Sequence, residues 1–70
     1  MPMLLKIMRE KRGWSQSELA RRSGLHATTI SLIESGRLTA YDVQIDKIAE
    51  VFGISRRKAA KLVREQSDGE

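Results

Sequence analysis

Residues 16–35 read QSELARRSGLHATTISLIES, and this stretch decides the fold. Ala20 lies on one face of a first short helix and is small enough for a second helix to approach it closely. Gly24 follows at a turn, where it can take the positive φ that ends a helix without steric cost. Ile30 and Ile33 then repeat at helical spacing. The stretch therefore predicts two short helices that cross at a sharp turn, which is a helix-turn-helix.

Helical patterns extend over the rest of the chain, and no stretch alternates apolar and polar residues for long enough to form a strand. We therefore predict an all-α fold, a compact bundle of five helices in which the second and third form the helix-turn-helix. Residues 1–66 are expected to form a single domain and residues 67–70 a frayed tail. The predicted helices are about Met3–Arg12, Gln16–Ser23, Ala27 to the residue before Gly36, a fourth that ends at Gly53 and whose start Thr39 and Asp42 together suggest, and Arg56–Gln66.

Local signals fix the starts of the second and third helices. Ser15 and Glu18 predict a capping box, in which the Ser15 hydroxyl accepts the Glu18 amide and the Glu18 carboxylate accepts the Ser15 amide. His26 is expected to precede the third helix, although it is a poorer N-cap than Ser or Asn. Trp14 is expected to cover the junction between the first two helices.

The composition excludes several classes of function. There is no cysteine and one histidine, so we expect no disulfide, no metal site and no cofactor. His26 has no paired carboxylate or nucleophile, so the chain is not expected to be an enzyme. No secretory signal and no apolar run of about 18 residues is present, which predicts a cytoplasmic protein with no membrane contact. Seventy residues also leave no room for a small-molecule effector domain.

The positive charge lies in the half of the chain that holds the helix-turn-helix. Residues 1–37 carry seven basic and three acidic side chains, whereas residues 38–70 carry six of each. A basic surface on this half is what a polyanionic partner requires. The arginines that could add long-range attraction, or that could instead lie in solvent, are Arg12, Arg21 and Arg22.

Several short motifs occur at fixed separations. They are S-Q-S-E-L-A from Ser15, G-L from Gly24, T-I-S from Thr29, I-E-S-G from Ile33 and I-A-E-V-F-G-I-S from Ile48. With Leu5 and Met8 before Arg9, the chain resembles the phage-repressor (Cro/CI-like, XRE-type) helix-turn-helix family over about residues 4–63. The resemblance implies a lambda-repressor-like DNA-binding domain whose third helix lies in the major groove of double-stranded DNA.

A helical wheel with Ile30 and Ile33 inward turns the opposite side of the third helix outward, independently of the resemblance. The residues expected to contact base edges are Ala27, Thr28, Ser31 and Leu32. By the resemblance, the residues expected to contact the DNA backbone are Gln16, His26, Thr29, Ser35 and Arg37. Gln16 is also expected to brace the tip of the third helix. The resemblance further implies an ion pair between Arg9 and Glu34 that joins the first helix to the end of the third.

The side chains expected at the base edges are short and uncharged. The hydroxyls of Thr28 and Ser31 can bond to almost any base edge, whereas Leu32 can contact only a thymine methyl group. We therefore expect direct readout to be less sharp than that of an Arg–guanine or Asn–adenine pair. T-rich half-sites and a contribution from DNA shape are expected.

The function expected from these features is that of a sequence-specific transcriptional regulator, a repressor, that binds a two-fold operator as a homodimer. The dimer interface is expected on the apolar face of the fifth helix, Leu62 and Val63, or on the Met3 and Ile7 side of the first. The acidic face of the fourth helix and the basic fifth helix could meet within the fold or across a dimer. Alternatively, the basic helix could reach DNA or stay in solvent.

A second hypothesis is a protein-binding module of the same fold. In this hypothesis the chain binds a protein partner, a toxin or a subunit of RNA polymerase, and DNA contact is secondary. The two hypotheses differ in salt dependence, because only a DNA-binding protein loses affinity for random-sequence duplex steeply as salt rises.

Overall fold

The computed structural model describes residues 3–65, and within that range all regular secondary structure is helical. The helices are α1 Leu4–Lys11, α2 Gln16–Ser23, α3 Ala27–Glu34, α4 Asp42–Phe52 and α5 Arg56–Arg64. The predicted all-α fold with five helices is confirmed, and α4 begins at Asp42, one of the two residues that suggested its start. The predicted tail, residues 67–70, and the predicted end of the fifth helix at Gln66 lie outside the described residues.

A small aliphatic core joins the helices. Its largest fully buried side chains come from α1 to α4 and are Leu5, Leu19, Ile30, Ile33, Ile45 and Ile48. Burying one such side chain contributes about 1.5–3 kcal/mol to folding. The two isoleucines of α3 are therefore held inward, which leaves the opposite side of that helix facing out.

The turn between α2 and α3 has the predicted geometry. Gly24 has φ of 79°, in the left-handed region, and its N–H donates to the Ala20 carbonyl at 2.9 Å. The N–H of Leu25 donates to the same carbonyl at 3.1 Å. The buried Ser23 hydroxyl also donates to this carbonyl, at 3.3 Å, and accepts the Leu25 N–H. The backbone groups at the corner are thus satisfied, and the crossing of the two helices is fixed locally.

The predicted capping box of α2 is half right. The Ser15 hydroxyl accepts the Glu18 amide at 3.0 Å, as predicted. The Glu18 carboxylate, however, accepts hydrogen bonds from the Arg21 and Arg22 guanidinium groups instead of from the Ser15 amide. Guanidinium groups form stronger hydrogen bonds with a carboxylate than a neutral amide does, and both arginines follow Glu18 by one turn. His26 makes no side-chain bond to the start of α3.

Trp14 covers the junction of α1 and α2, as predicted. Its ring stacks on Phe52 with the ring centroids 5.5 Å apart. The Arg22 guanidinium lies 4.8 Å from the Trp14 centroid, and the Arg12 guanidinium lies 5.2 Å from the Phe52 centroid. Arg12 also donates to the Phe52 carbonyl at 3.2 Å. This cluster attaches the α1–α2 junction to the end of α4.

The structure contains the ion pair between Arg9 and Glu34, and it lies in the interior. Arg9 donates from Nε to Glu34 Oε2 at 2.7 Å and from Nη2 to Oε1 at 3.1 Å. Its third donor, Nη1, bonds to the Trp14 carbonyl at 2.7 Å. The hydrogen bonds to Glu34 raise the pKa of Arg9 above its usual value, although burial alone would lower it. The two side chains therefore connect α1 to the end of α3.

Most residues of the expected dimer interfaces are buried in the core, while the Ile7 side of α1 stays a prediction. Leu62 and Val63 on α5 and Met3 before α1 are all buried within the single chain. Ile7 is half-buried. The periodicity of α5 therefore serves to pack this helix on α1 and α4. Among residues 3–65 the exposed large apolar side chains are Tyr41 and Val43, at the start of α4.

The acidic face of α4 meets the basic helix α5 within the fold. The Asp46 carboxylate accepts from Arg56 Nε at 2.6 Å and from Nη2 at 2.7 Å. The Arg56 guanidinium lowers the pKa of Asp46 below its usual value. Both side chains are exposed, so the pair is expected to add little to stability.

We expect Glu34→Gln to lower the free energy of unfolding by about 3–5 kcal/mol, because it leaves the buried Arg9 guanidinium without its counter-charge. Chemical denaturation followed by circular dichroism measures the change. Glu10→Gln is the matched control, since Glu10 is exposed on the same helix as Arg9. Equal denaturation midpoints for the two variants would show that the pair contributes nothing.

We expect Leu62→Asp to unfold the chain, because a carboxylate at this buried position would have no partner. The loss should exceed about 4 kcal/mol, which is most of the stability of a small domain. Lys61→Asp is the control on the neighbouring exposed position. A Leu62→Asp variant that stays folded and sediments as a monomer, while the wild-type chain sediments as a dimer, would contradict this expectation. That result would support the dimer interface expected from the sequence.

Candidate nucleic-acid interface

The outward side of α3 carries the residues predicted to contact base edges. Ala27, Thr28 and Ser31 are exposed there, while Ile30 and Ile33 on the inward side are fully buried. The Thr28 and Ser31 hydroxyls form no hydrogen bond with another side chain of residues 3–65. Their donors and acceptors are therefore free for an external partner.

Leu32 and Thr29 lie beside this exposed strip and are half-buried. The Leu32 carbonyl accepts from Ser35 Oγ at 3.1 Å and from the backbone N–H of Arg37 at 2.9 Å. The end of α3 is therefore closed onto the turn that follows it. Leu32 offers only part of its side chain to a partner, which limits it to an edge contact.

Gln16 opens α2 and is half-buried. Its Nε2 donates to Glu34 Oε1 at 3.0 Å, so it supports the C-terminal end of α3. The expected brace at the tip of α3, its N-terminal end, is therefore wrong. The carboxylate of Glu34 attracts the amide because the Arg9 bonds leave Oε1 with capacity for a second donor. A phosphate contact by the remaining polar atoms of Gln16 stays a prediction.

The other residues predicted to contact the DNA backbone surround the strip. His26 and Ser35 are exposed before and after α3, and Arg37 is exposed beyond the turn at Gly36. The N–H of Arg37 is already bonded to Leu32, so its guanidinium is the group that remains available. The four predicted base-contact and five predicted backbone-contact residues thus lie on or beside α3 and at the start of α2.

The three arginines left open by the sequence have partners within the chain. Arg12 packs on the Trp14 and Phe52 rings, and Arg22 packs on Trp14 while it also bonds to Glu18. Arg21 bonds to Glu18 but is 70% exposed. These guanidinium groups stabilise the fold locally, and Arg21 is the most accessible of them.

Sequence reasoning did not single out Lys6, which lies beside the predicted contact residues. Lys6 lines a cleft between α1, the start of α2 and α3, together with Gln16, Ser31, Glu34 and Ser35. The sequence could have indicated this position, because Lys6 precedes Arg9 by three residues and therefore lies on the same side of α1.

Residues 3–65 contain no cluster of His, Cys, Asp or Glu side chains that could hold a metal ion. Within the same range, no helix has both the length and the apolar character needed to cross a bilayer.

Comparison with known proteins gives two similarities. A family model described as helix-turn-helix matches residues 5–59, which cover α1 from its second residue, all of α2 to α4 and the first four residues of α5. A protein of Neisseria meningitidis serogroup B, described as a Neisseria hypothetical transcription factor, is 37% identical over 51 residues. The aligned part is 73% of this chain and 48% of the relative, so the chain spans about half the length of the curated relative it matches.

Proposed function

Because the chain belongs to the XRE-type helix-turn-helix family, we propose that it is a cytoplasmic transcriptional regulator that binds double-stranded DNA in a sequence-specific manner. The single observation that carries the proposal is the division of α3 into two sides. Ile30 and Ile33 are fully buried, while the opposite side presents Ala27, Thr28 and Ser31 to solvent. A helix of this kind fits the major groove of B-DNA, where side chains reach base edges.

Two further observations support this proposal. The excess positive charge lies in residues 1–37, the half of the chain that contains α3. Basic charge near a recognition helix attracts the phosphate backbone independently of sequence. The Neisseria relative is described as a hypothetical transcription factor, which agrees with a regulatory role. The proposal includes no catalytic activity.

We propose that the regulator is a repressor and acts as a symmetric dimer on a two-fold operator. An α3 of eight residues reads only a few base pairs, so one copy gives limited specificity. Two copies with recognition helices about 34 Å apart would read successive major grooves on one face of the DNA. A bound dimer in the path of polymerase would block transcription. Sedimentation with and without operator DNA measures the stoichiometry.

A protein-binding module remains the second candidate, and exposed apolar surface at the start of α4 favours it. Tyr41 is 66% and Val43 is 62% exposed, and they are the exposed large apolar side chains of residues 3–65. The partner would be a toxin or a polymerase subunit. Binding of random-sequence duplex at two salt concentrations separates the two candidates. Steep loss of affinity with salt supports the DNA-binding proposal, and flat or absent binding supports the protein-binding module.

We expect Thr28→Ala and Leu32→Ala to change which duplexes are selected from a random pool, because both side chains are proposed to contact base edges. Each lost contact should reduce discrimination at one or two positions by less than the about 1–3 kcal/mol of a bidentate Arg–guanine contact. Sequencing of the selected duplexes measures the change. Because Leu32 is half-buried, thermal melting of the variant must first show a folded chain.

Arg37→Ala, in contrast, is expected to weaken binding of all sequences alike, because its guanidinium is proposed to contact phosphate. Titration of selected and unselected duplexes with each variant measures this. Lys47→Ala, which removes an exposed cation from α4, is the matched control. If Arg37→Ala changed which sequences are selected and did not weaken binding of all duplexes alike, the proposed phosphate contact of Arg37 would be contradicted.

A further inference from the structure

A polar cleft lies between α1, the start of α2 and the second half of α3. Its lining consists of Lys6, Gln16, Ser31, Glu34 and Ser35. Ser31 belongs to the exposed strip of α3, so the cleft is continuous with the surface proposed to face the major groove. A group bound in this cleft would therefore lie next to the groove while α3 is in it.

The carboxylate at the base of the cleft does not make it an anionic site. Glu34 is bound by Arg9 through two hydrogen bonds, at 2.7 and 3.1 Å, and by Gln16 Nε2 at 3.0 Å. Its charge is thus balanced by a guanidinium inside the domain. Lys6 has no ion pair with any residue between 3 and 65. Lys6 therefore offers an ammonium group with no ion-pair partner in the described residues at the edge of the cleft.

We propose that Lys6 binds a phosphate of the DNA backbone in this cleft, an inference that rests on the proposed DNA-binding function. The ammonium group supplies the charge and the hydrogen-bond donors, because the Ser35 hydroxyl already donates to the Leu32 carbonyl and Ser31 is assigned to a base edge. Lys6 thereby fixes the register of α1 against the strand that flanks the groove. Such a contact positions the protein and carries no sequence information.

The position of Lys6 differs from that of the other lysine of the same helix. Lys11 is also exposed, but it lines a separate apolar groove with Leu4, Ile7, Met8 and Leu62. That groove contains no residue of α3. Lys11 therefore provides a matched control, with the same charge on the same helix but away from the strip.

The test compares Lys6→Ala, Lys6→Arg and Lys11→Ala in titrations of a selected duplex over a range of salt concentrations. Loss of one phosphate contact should reduce the slope of log affinity against log salt by about 0.9. If the variant and the wild-type chain bind equally at 1 M salt, this difference in slope gives about an eightfold loss of affinity for the variant at 0.1 M salt. We expect this loss for Lys6→Ala, retention of the wild-type slope for Lys6→Arg, and no change for Lys11→Ala. The selected sequence should stay the same in all three.

The outcomes separate this inference from the function on which it rests. Wild-type binding with a steep salt dependence, together with equal slopes for Lys6→Ala and Lys11→Ala, would overturn the role of Lys6 alone. A wild-type chain that shows no salt-dependent duplex binding would overturn both. If Lys6→Ala changed which sequences are selected, the phosphate-binding role of Lys6 would also be overturned, because that change would indicate a contact with a base. Lys6 is exposed, so unchanged thermal melting is expected to verify that each variant is folded.

Discussion

The buried carboxylate of Glu34 is the point on which the arrangement of the first three helices depends. It accepts two hydrogen bonds from Arg9 on α1 and one from Gln16 on α2, while it belongs to the last turn of α3. Aliphatic packing resists sliding between helices weakly, because many apolar contacts are nearly equivalent, whereas directed hydrogen bonds between charges specify one geometry. The pair is costly to bury, and its role in this domain is to fix how α3 is held relative to α1 and α2.

The two ends of α3 are held by different means. At the end near Glu34, side chains from α1 and α2 hold the helix, and the turn after it folds back onto the Leu32 carbonyl. At its start, His26 makes no capping bond, so the tip is held by the Gly24 corner and by the burial of Ile30. The first turn, which is the part proposed to enter the groove deepest, is therefore the less constrained end. Small adjustments of Ala27 and Thr28 to a base edge need not disturb the ion pair.

The sequence predicted the elements with a local cause. The spacing of Ile30 and Ile33 determined the inward face of α3, and the glycine at position 24 marked the corner, because both effects act within one helical turn. Features that depend on competition between hydrogen-bond partners, or on tertiary packing, could not be predicted from the local sequence. Glu18 bonded to two arginines and Gln16 bonded to Glu34, and in each case the nearest opposite charge or strongest acceptor prevailed. The apolar stripe of α5 has the same periodicity whether it covers its own core or a partner, so Leu62 could be assigned only from the packed helices.

The division of α3 also bears on how such a domain diverges. Thr28 and Ser31 have no side-chain partner within residues 3–65, so their replacement should change stability by only about 0.5 kcal/mol. The residues that hold the helix in place, Ile30, Ile33 and Glu34, are separate from them. Mutations that alter the proposed base contacts can thus accumulate one at a time without passing through an unfolded ancestor.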